Sequence, residues 1–296
     1  MIKYLLDMRN VMDYNLCDRK TVEKLLSKYG FSFSKALGQN FLIDADVCPR
    51  MADELCADEN TAVIEIGPGI GVLTKELCRV AGRVIAIELD KRLYPVLDET
   101  LGEFDNFELV QGDALKLDLN KLISEKLGGY EDIKVCANLP YYITSPLIMK
   151  LLEKKLPISE IVVMVQKEAA ERLCAEMGSR QCGAVTAAVK YYGDSKVLFG
   201  VSRESFMPAP KVDSAVIRIT LNKEKKYNIS NEKKLFELIR ASFAQRRKTL
   251  VNSVSATLPI AKNDIINALD RLSLDSNIRA EKLTMEDFAN LCDLLF

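Results

Sequence analysis

Apolar positions along this chain change their spacing twice. Over residues 15–29 they recur at helical intervals, with Val22, Leu25 and Leu26 on one side and charges on the other. Asp44 and Asp46 stand just ahead of a second amphipathic run, residues 47–55, as N-cap candidates. From Thr61 the pattern shortens. Apolar, β-rich runs come at 62–66, 84–87, 107–110, 133–137 and 161–165, separated by helix-like stretches such as 73–80, 93–101 and 146–154. Short apolar strands alternating with helices predict βαβ units, a doubly wound α/β layer whose mostly parallel sheet is covered on both faces. Two later runs, 197–201 and 215–221, are joined by a Pro-rich segment too short for a full helix, and are expected to pair antiparallel at the sheet edge. After Leu221 the texture changes again. Residues 222–231 are polar and Lys-rich, as a linker is, and 235–243, 260–270 and 285–295 read as amphipathic helices with no strand among them. The expected organisation is an α/β domain over 1–221, which includes an N-terminal helical extension, and a small all-α domain over 222–296.

Composition narrows the chemistry. The chain of 296 residues has no histidine, which removes Ser-His-Asp and Cys-His catalysis and HExxH zinc hydrolysis together. Its eight cysteines contain no Cys-x2-Cys pair, so neither a metal site nor a disulfide framework is expected, and reduced thiols in the cytoplasm are. Asp7 and Arg9 interrupt the N-terminal apolar run that a signal peptide needs, and no stretch is long enough for a membrane span. Lys plus Arg number 41 against 42 for Asp plus Glu. Any contact with nucleic acid must therefore use a local basic patch.

After the first strand comes Glu65-Ile66-Gly67-Pro68-Gly69-Ile70-Gly71, then a helix. Glycines there allow a sharp turn and close backbone approach to a ligand beyond the carboxyl ends of the strands. The second strand ends in Glu88, suited to accept from ribose hydroxyls, and the third in Gln111-Gly112-Asp113, suited to accept from an adenine amine. A dinucleotide fingerprint would put glycine where Val72 stands. Glu65 is expected to add a negative charge that disfavours a pyrophosphate and favours a sulfonium. S-adenosylmethionine fits this loop better than NAD.

The fourth strand runs into Asn138-Leu139-Pro140-Tyr141-Tyr142, which the fold should place beside the glycine loop. The exocyclic N6 of adenine is a poor nucleophile because its lone pair is delocalised. Acceptors placed for its two N–H bonds, the Asn138 side-chain oxygen and a Leu139 or Pro140 carbonyl, help it pyramidalise, and Tyr141 can stack on the purine. Such help is positional and electrostatic and needs no strong base.

With these motifs the chain resembles the ribosomal RNA adenine dimethyltransferase family. The resemblance runs from Lys35 to Leu250 and includes Lys35-Ala36-Leu37-Gly38-Gln39-Asn40-Phe41-Leu42, the glycine loop, Glu88, Asp113 and Asn138-Leu139-Pro140-Tyr141. It continues through Val165-Gln166-Lys167-Glu168, Phe206-Met207-Pro208-Ala209-Pro210-Lys211-Val212-Asp213-Ser214 and Phe243-Ala244-Gln245-Arg246-Arg247-Lys248. The small-subunit branch matches more closely than the macrolide-resistance methylases of the large-subunit RNA.

The resemblance implies a Rossmann-like methyltransferase fold with a seven-stranded, mostly parallel sheet and a helical C-terminal domain that helps bind RNA. It also implies roles. Asn40, Leu42, Gly67, Gly69, Glu88, Asp113, Ala114 and Asn138 would hold S-adenosylmethionine. Asn138, Leu139 and Pro140 would orient the target amine, and Tyr141 and Phe206 would sandwich the flipped-out base. Lys211, Arg246, Arg247 and Lys248 are the RNA-contact candidates. The implied activity is dimethylation of two adjacent adenosines near the 3′ end of 16S rRNA in the 30S subunit, by a monomer with no membrane or obligate protein partner. Large-subunit methylation with macrolide resistance is the alternative enzyme, and a non-catalytic ribosome assembly factor the alternative class. Two departures stand out: about a dozen residues precede the point where family chains usually begin, with Met12 a possible start, and the chain is nearly neutral where small-subunit members tend to be basic.

Overall fold

Helix α1 (Arg19–Lys28) starts where the Asp18 carboxylate accepts the Thr21 N–H at 2.8 Å, and it buries Val22, Leu25 and Leu26. A two-residue strand β1 (Phe41–Leu42) and helix α2 (Val47–Leu55) follow. Then β2 (Thr61–Ile66), α3 (Val72–Val80), β3 (Arg83–Glu88), α4 (Tyr94–Leu101) and β4 (Phe107–Gln111) alternate. The alternation goes on through α5 (Leu119–Lys126), β5 (Asp132–Asn138), α6 (Thr144–Glu153) and β6 (Glu160–Gln166). Helices α7 (Lys167–Leu173) and α8 (Ala184–Tyr192) lead to β7 (Gly193–Val201), β8 (Phe206–Met207) and β9 (Ser214–Leu221). Four helices end the chain: α9 (Glu232–Phe243), α10 (Leu250–Thr257), α11 (Lys262–Arg271) and α12 (Met285–Leu295). This computed structural model describes residues 14–34, 37–224, 226–227, 229 and 231–296; Met12, the extension before residue 14 and the Lys35-Ala36 start of the first motif lie outside them.

Seven strands form one sheet in the order β4-β3-β2-β5-β6-β9-β7. All neighbours are parallel except those of β9, which runs antiparallel to both β6 and β7. The two late runs do pair, with β7 at the edge and β9 inserted between it and β6. Every residue of β2 is buried, because helices cover both faces of the sheet; hence its nearly unbroken apolar run. On one face α2 and α3 close a core with Met51, Leu55, Leu73 and Leu77 against Val63, Cys136 and Val162. On the other, α5, α6 and α8 share a core that continues into the four last helices.

Helix α8 joins the sheet to those helices. Tyr192 stacks on Phe236 of α9 at 5.4 Å with the rings 3° from parallel, and its hydroxyl donates to Glu232 at 2.6 Å. Covered on several sides, α8 is buried at most positions and shows no periodicity in its sequence. Asp46 occupies the N-cap position of α2 but its side chain makes no capping bond. Asp44 instead accepts from the Asp46 N–H at 3.1 Å and from the Ser205 hydroxyl at 2.7 Å, tying the α2 entrance to the segment before β8.

Candidate active site

The chain leaves β2 towards β3 and β4, then crosses back to β5 on the other side of β2. Loops after β2 and β5 therefore diverge, and a crevice opens between them at the carboxyl ends of the strands. The glycine loop turns there. Gly71 starts α3 at φ +93°, a conformation that side chains resist, and at Gly69 a Cβ would stand 3.2 Å from the Phe41 ring. Glycine is what lets β1 lie against this loop.

Strand β1 is held in turn by β8. Leu42 pairs with Phe206 and Phe41 with Met207, and the Ile43 N–H donates to the Ser205 carbonyl at 2.8 Å. This short ladder brings together two motifs far apart in sequence. The resulting cleft has a cavity volume of about 180 Å³. Asn40, Leu42, Gly67, Gly69, Glu88, Asp113, Ala114, Asn138, Leu139, Pro140, Tyr141 and Phe206 all line it. Every residue that the sequence assigns to cofactor or target base is thus in one place.

One end of the cleft is acidic. Glu88 is 7% exposed and accepts the Asp90 N–H at 2.7 Å. Burial pushes its carboxyl up to about 7, against the opposing help of that N–H. Asp90 is braced by Arg92 at 2.6 Å and by the Gln39 amide at 2.8 Å, which ties the first motif to the β3 end. Asp113 accepts the Leu115 N–H at 2.9 Å, and beside it Ala114 is buried.

Glu65 departs from expectation. It is 1% exposed, and burial raises its carboxyl to about 8, so it is held protonated at neutral pH and is no standing negative charge. Among the described residues its Oε2 has no hydrogen-bond partner within bonding distance, although the nearby Thr74 hydroxyl works against burial on this carboxyl. An uncommitted carboxyl oxygen among apolar walls suits a cationic ligand that would draw off its proton, which is the property a sulfonium brings. Together with the acceptor at Glu88 and the close backbone at Gly69, the residues present fit S-adenosylmethionine.

The opposite end holds Asn138-Leu139-Pro140-Tyr141. Among the described residues the Asn138 carboxamide makes no hydrogen bond, and it is half-buried. The Pro140 carbonyl already accepts from the Ile143 N–H at 3.1 Å, inside the 3₁₀ turn that follows. The other carbonyl considered from sequence, that of Leu139, accepts no hydrogen bond among the described residues. Tyr141 is fixed by a 2.8 Å hydrogen bond between its hydroxyl and that of Ser214, which is buried at the start of β9. Phe206 is 1% exposed and packs with Leu42, Met51 and Val216, so it forms the cleft floor from the core side.

The basic candidates are elsewhere. Lys211 is exposed on the β8–β9 connection, and Arg246, Arg247 and Lys248 are exposed on the turn between α9 and α10 rather than on a helix face. Arg246 donates to the Arg180 carbonyl at 3.0 Å, which adds Arg180 to the same surface. Arg180 carried no sequence signal, since its loop has no pattern of its own. Tyr142, the last residue of the motif after the fourth strand, was given no role from sequence, yet it lines the cleft beside Gly38.

A mostly parallel sheet with this strand order, a glycine loop after its first central strand and acids at the next two strand ends defines a Rossmann-like, S-adenosylmethionine-dependent methyltransferase. Residues 30–295 match the family model of ribosomal RNA adenine dimethylase. The chain belongs to that family and is a ribosomal RNA methyltransferase. It is 47% identical over 276 residues to ribosomal RNA small subunit methyltransferase A of Geobacillus thermodenitrificans, covering 92% of this chain and 94% of the relative. The protein of the same name from Clostridioides difficile is 42% identical over 280 residues, 95% of this chain and 96% of the relative. Among solved structures, a dimethyladenosine transferase from Plasmodium falciparum superposes with a TM-score of 0.69 at 27% identity, covering 85% of this chain and 95% of that one. The 23S rRNA methyltransferase ErmE gives 0.63 at 25% identity, covering 86% and 99%.

Proposed function

We propose that this chain dimethylates N6 of two adjacent adenosines near the 3′ end of 16S rRNA, acting as a monomer on the small ribosomal subunit in the cytoplasm. The observation that carries the chemistry is the Asn138 carboxamide, without a partner and next to the uncommitted Leu139 carbonyl, in the same cleft as the glycine loop. The small-subunit target is supported by the full-length relatives at 42–47% identity. The large-subunit reading has only the more distant ErmE likeness.

The cofactor supplies an electrophilic methyl group on sulfur and leaves as a thioether. Glu88 would hold its ribose hydroxyls, Asp113 and Ala114 its adenine, and Asn40, Leu42, Gly67 and Gly69 the remainder. At the target, the Asn138 oxygen and the Leu139 carbonyl accept the two N6–H bonds. They turn the nitrogen lone pair out of the adenine plane towards the methyl carbon. Once methylated the amine would be cationic and would give its proton to water, so the site needs no basic side chain. Tyr141 and Phe206 flank the flipped base and offset its lost stacking. Lys211, within the catalytic residues 1–221, and Arg246, Arg247 and Lys248, within 222–296, contact RNA phosphates, so that the C-terminal helices contribute to RNA binding.

Labelled S-adenosylmethionine given to small and large subunits from a strain lacking this gene should yield dimethyladenosine on the small subunit alone. Label confined to the large subunit would overturn the target. Asn138→Ala should abolish transfer, a loss far larger than any rise in the dissociation constant for S-adenosylhomocysteine; full activity in that variant would remove Asn138 from its role.

A further inference from the structure

Lys150 sits near the end of α6, the helix that begins directly after the Asn138–Tyr141 motif and its 3₁₀ turn. Its ammonium is near enough to the Asp113 and Asp118 carboxylates to feel their charge, but its hydrogen bonds go elsewhere. It donates to two backbone carbonyls of the loop after β4, Ala114 at 2.9 Å and Leu117 at 2.6 Å. Among the described residues it takes part in no ion pair. That loop walls the cleft with Gly112, Asp113, Ala114 and Leu115. It is wound tightly: the Asp113 carbonyl accepts from the Lys116 and Leu117 N–H groups at 2.8 and 2.9 Å. Leu117 folds over Gly112 so closely that a Cβ there would lie 2.7 Å from it.

Half-burying an ammonium is costly; the Asp113 and Asp118 carboxylates offset that only in part, and a Met or Leu would fill the α6 surface more cheaply. What lysine adds is direction. Two charge-assisted hydrogen bonds hold the carbonyls of the turn from behind, so that Asp113 and Ala114 are presented to the cleft. The same side chain links this wall to the helix that follows the target-base motif.

We propose that Lys150 is a positioning residue for the methyl donor: by holding the Ala114 and Leu117 carbonyls it sets the wall against which the cofactor's adenine packs. The proposal rests on the assignment of Asp113 and Ala114 to that adenine.

The test compares Lys150→Met, Lys150→Arg and Asp113→Ala in the full chain, by titration calorimetry with S-adenosylhomocysteine and by steady-state methylation of small subunits. Lys150→Met should raise the dissociation constant and the KM for S-adenosylmethionine about tenfold, the loss of one to two charged hydrogen bonds. Its kcat and its KM for the ribosomal subunit should stay within about twofold, and amide exchange at residues 112–117 should quicken. Lys150→Arg, which can reach both carbonyls, should restore most of the affinity. A folded Lys150→Met protein with wild-type cofactor affinity overturns the proposal, and so does a fall in Tm with no change in KM. If the Met variant does not fold, Lys150→Gln takes its place, with a smaller rise expected and an unchanged KM counting against the idea. If Asp113→Ala binds the cofactor normally, the adenine assignment falls and the proposal with it. If Asp113→Ala weakens binding and the Lys150 variants do not, only the proposal falls.

Discussion

A carboxylate that must accept hydrogen bonds from sugar hydroxyls works only when ionised. Burial holds Glu88 at about 7, so in the empty protein it gains its proton just below neutrality. A ligand that favours the ionised form then binds less well as pH falls. The affinity for S-adenosylhomocysteine should drop by up to about tenfold per pH unit below 7 and level off above it. Glu88→Gln should weaken binding and flatten that slope, whereas a slope unchanged in the variant would assign the titration to another group. Glu65, raised to about 8, has the same sign but a different preference, since it responds to charge on the ligand. Both carboxyls sit above their unfolded values, so each stabilises the empty fold fully below about 4.5, and that contribution is lost as pH rises through 7 to 8. None of this could be read from the letters Glu-Ile-Gly or Ile-Glu. The residue types were legible, but their proton states depend on which walls close over them.

Helix α1 shows what holds an element in place. Leu25 and Leu26 pack with Val96, Leu97 and Leu101 of α4, and Glu99 of α4 gathers Lys28 at 2.6 Å together with the hydroxyls of Tyr14 and Tyr29. Partial burial pushes the Glu99 carboxyl up, but those three donors outweigh it and hold it at about 2. Replacing Glu99 by Ala should lower stability by about 1–3 kcal/mol, seen as a shift in the urea midpoint with little change in slope. That difference should be present above pH 4.5 and shrink as the wild-type carboxylate protonates towards pH 2, the sign expected of a depressed acid. The helix itself was legible from its period, but its anchor was not. Glu99 lies on another helix, and nothing in its local sequence names its partners. Helices α8 and α10 were illegible for different reasons. The first is buried nearly all round, and the second, Leu-Val-Asn-Ser-Val-Ser-Ala-Thr, is poor in helix formers and depends on Thr249 as cap and on its neighbours.

At the scale of the whole molecule, a nearly neutral chain must concentrate its positive charge to hold RNA. The turn carrying Arg246, Arg247 and Lys248 is exposed, and Arg180 lies against it. Replacing Arg246 and Arg247 together by Ala should weaken binding to small subunits and reduce the slope of log affinity against log salt by about 1.4, the share of two phosphate contacts on single-stranded RNA. Cofactor affinity should not move, because neither residue lines the cleft. A salt slope equal to wild type would mean these arginines are merely solvated.

Local features, then, were settled by the amino-acid order alone. Glycine at 67, 69 and 71 is needed for positive φ, strand and helix runs follow from burial periodicity, and acids at strand ends follow from the topology that those runs imply. These depend on a residue and its near neighbours. The join of Leu42 to Phe206, the choice of the Leu139 over the Pro140 carbonyl, the raised pKa of Glu65 and the grip of Lys150 on Ala114 and Leu117 are different in kind. Each turns on which polar groups of distant segments are already paired and how much water reaches them, and both are properties of the folded whole.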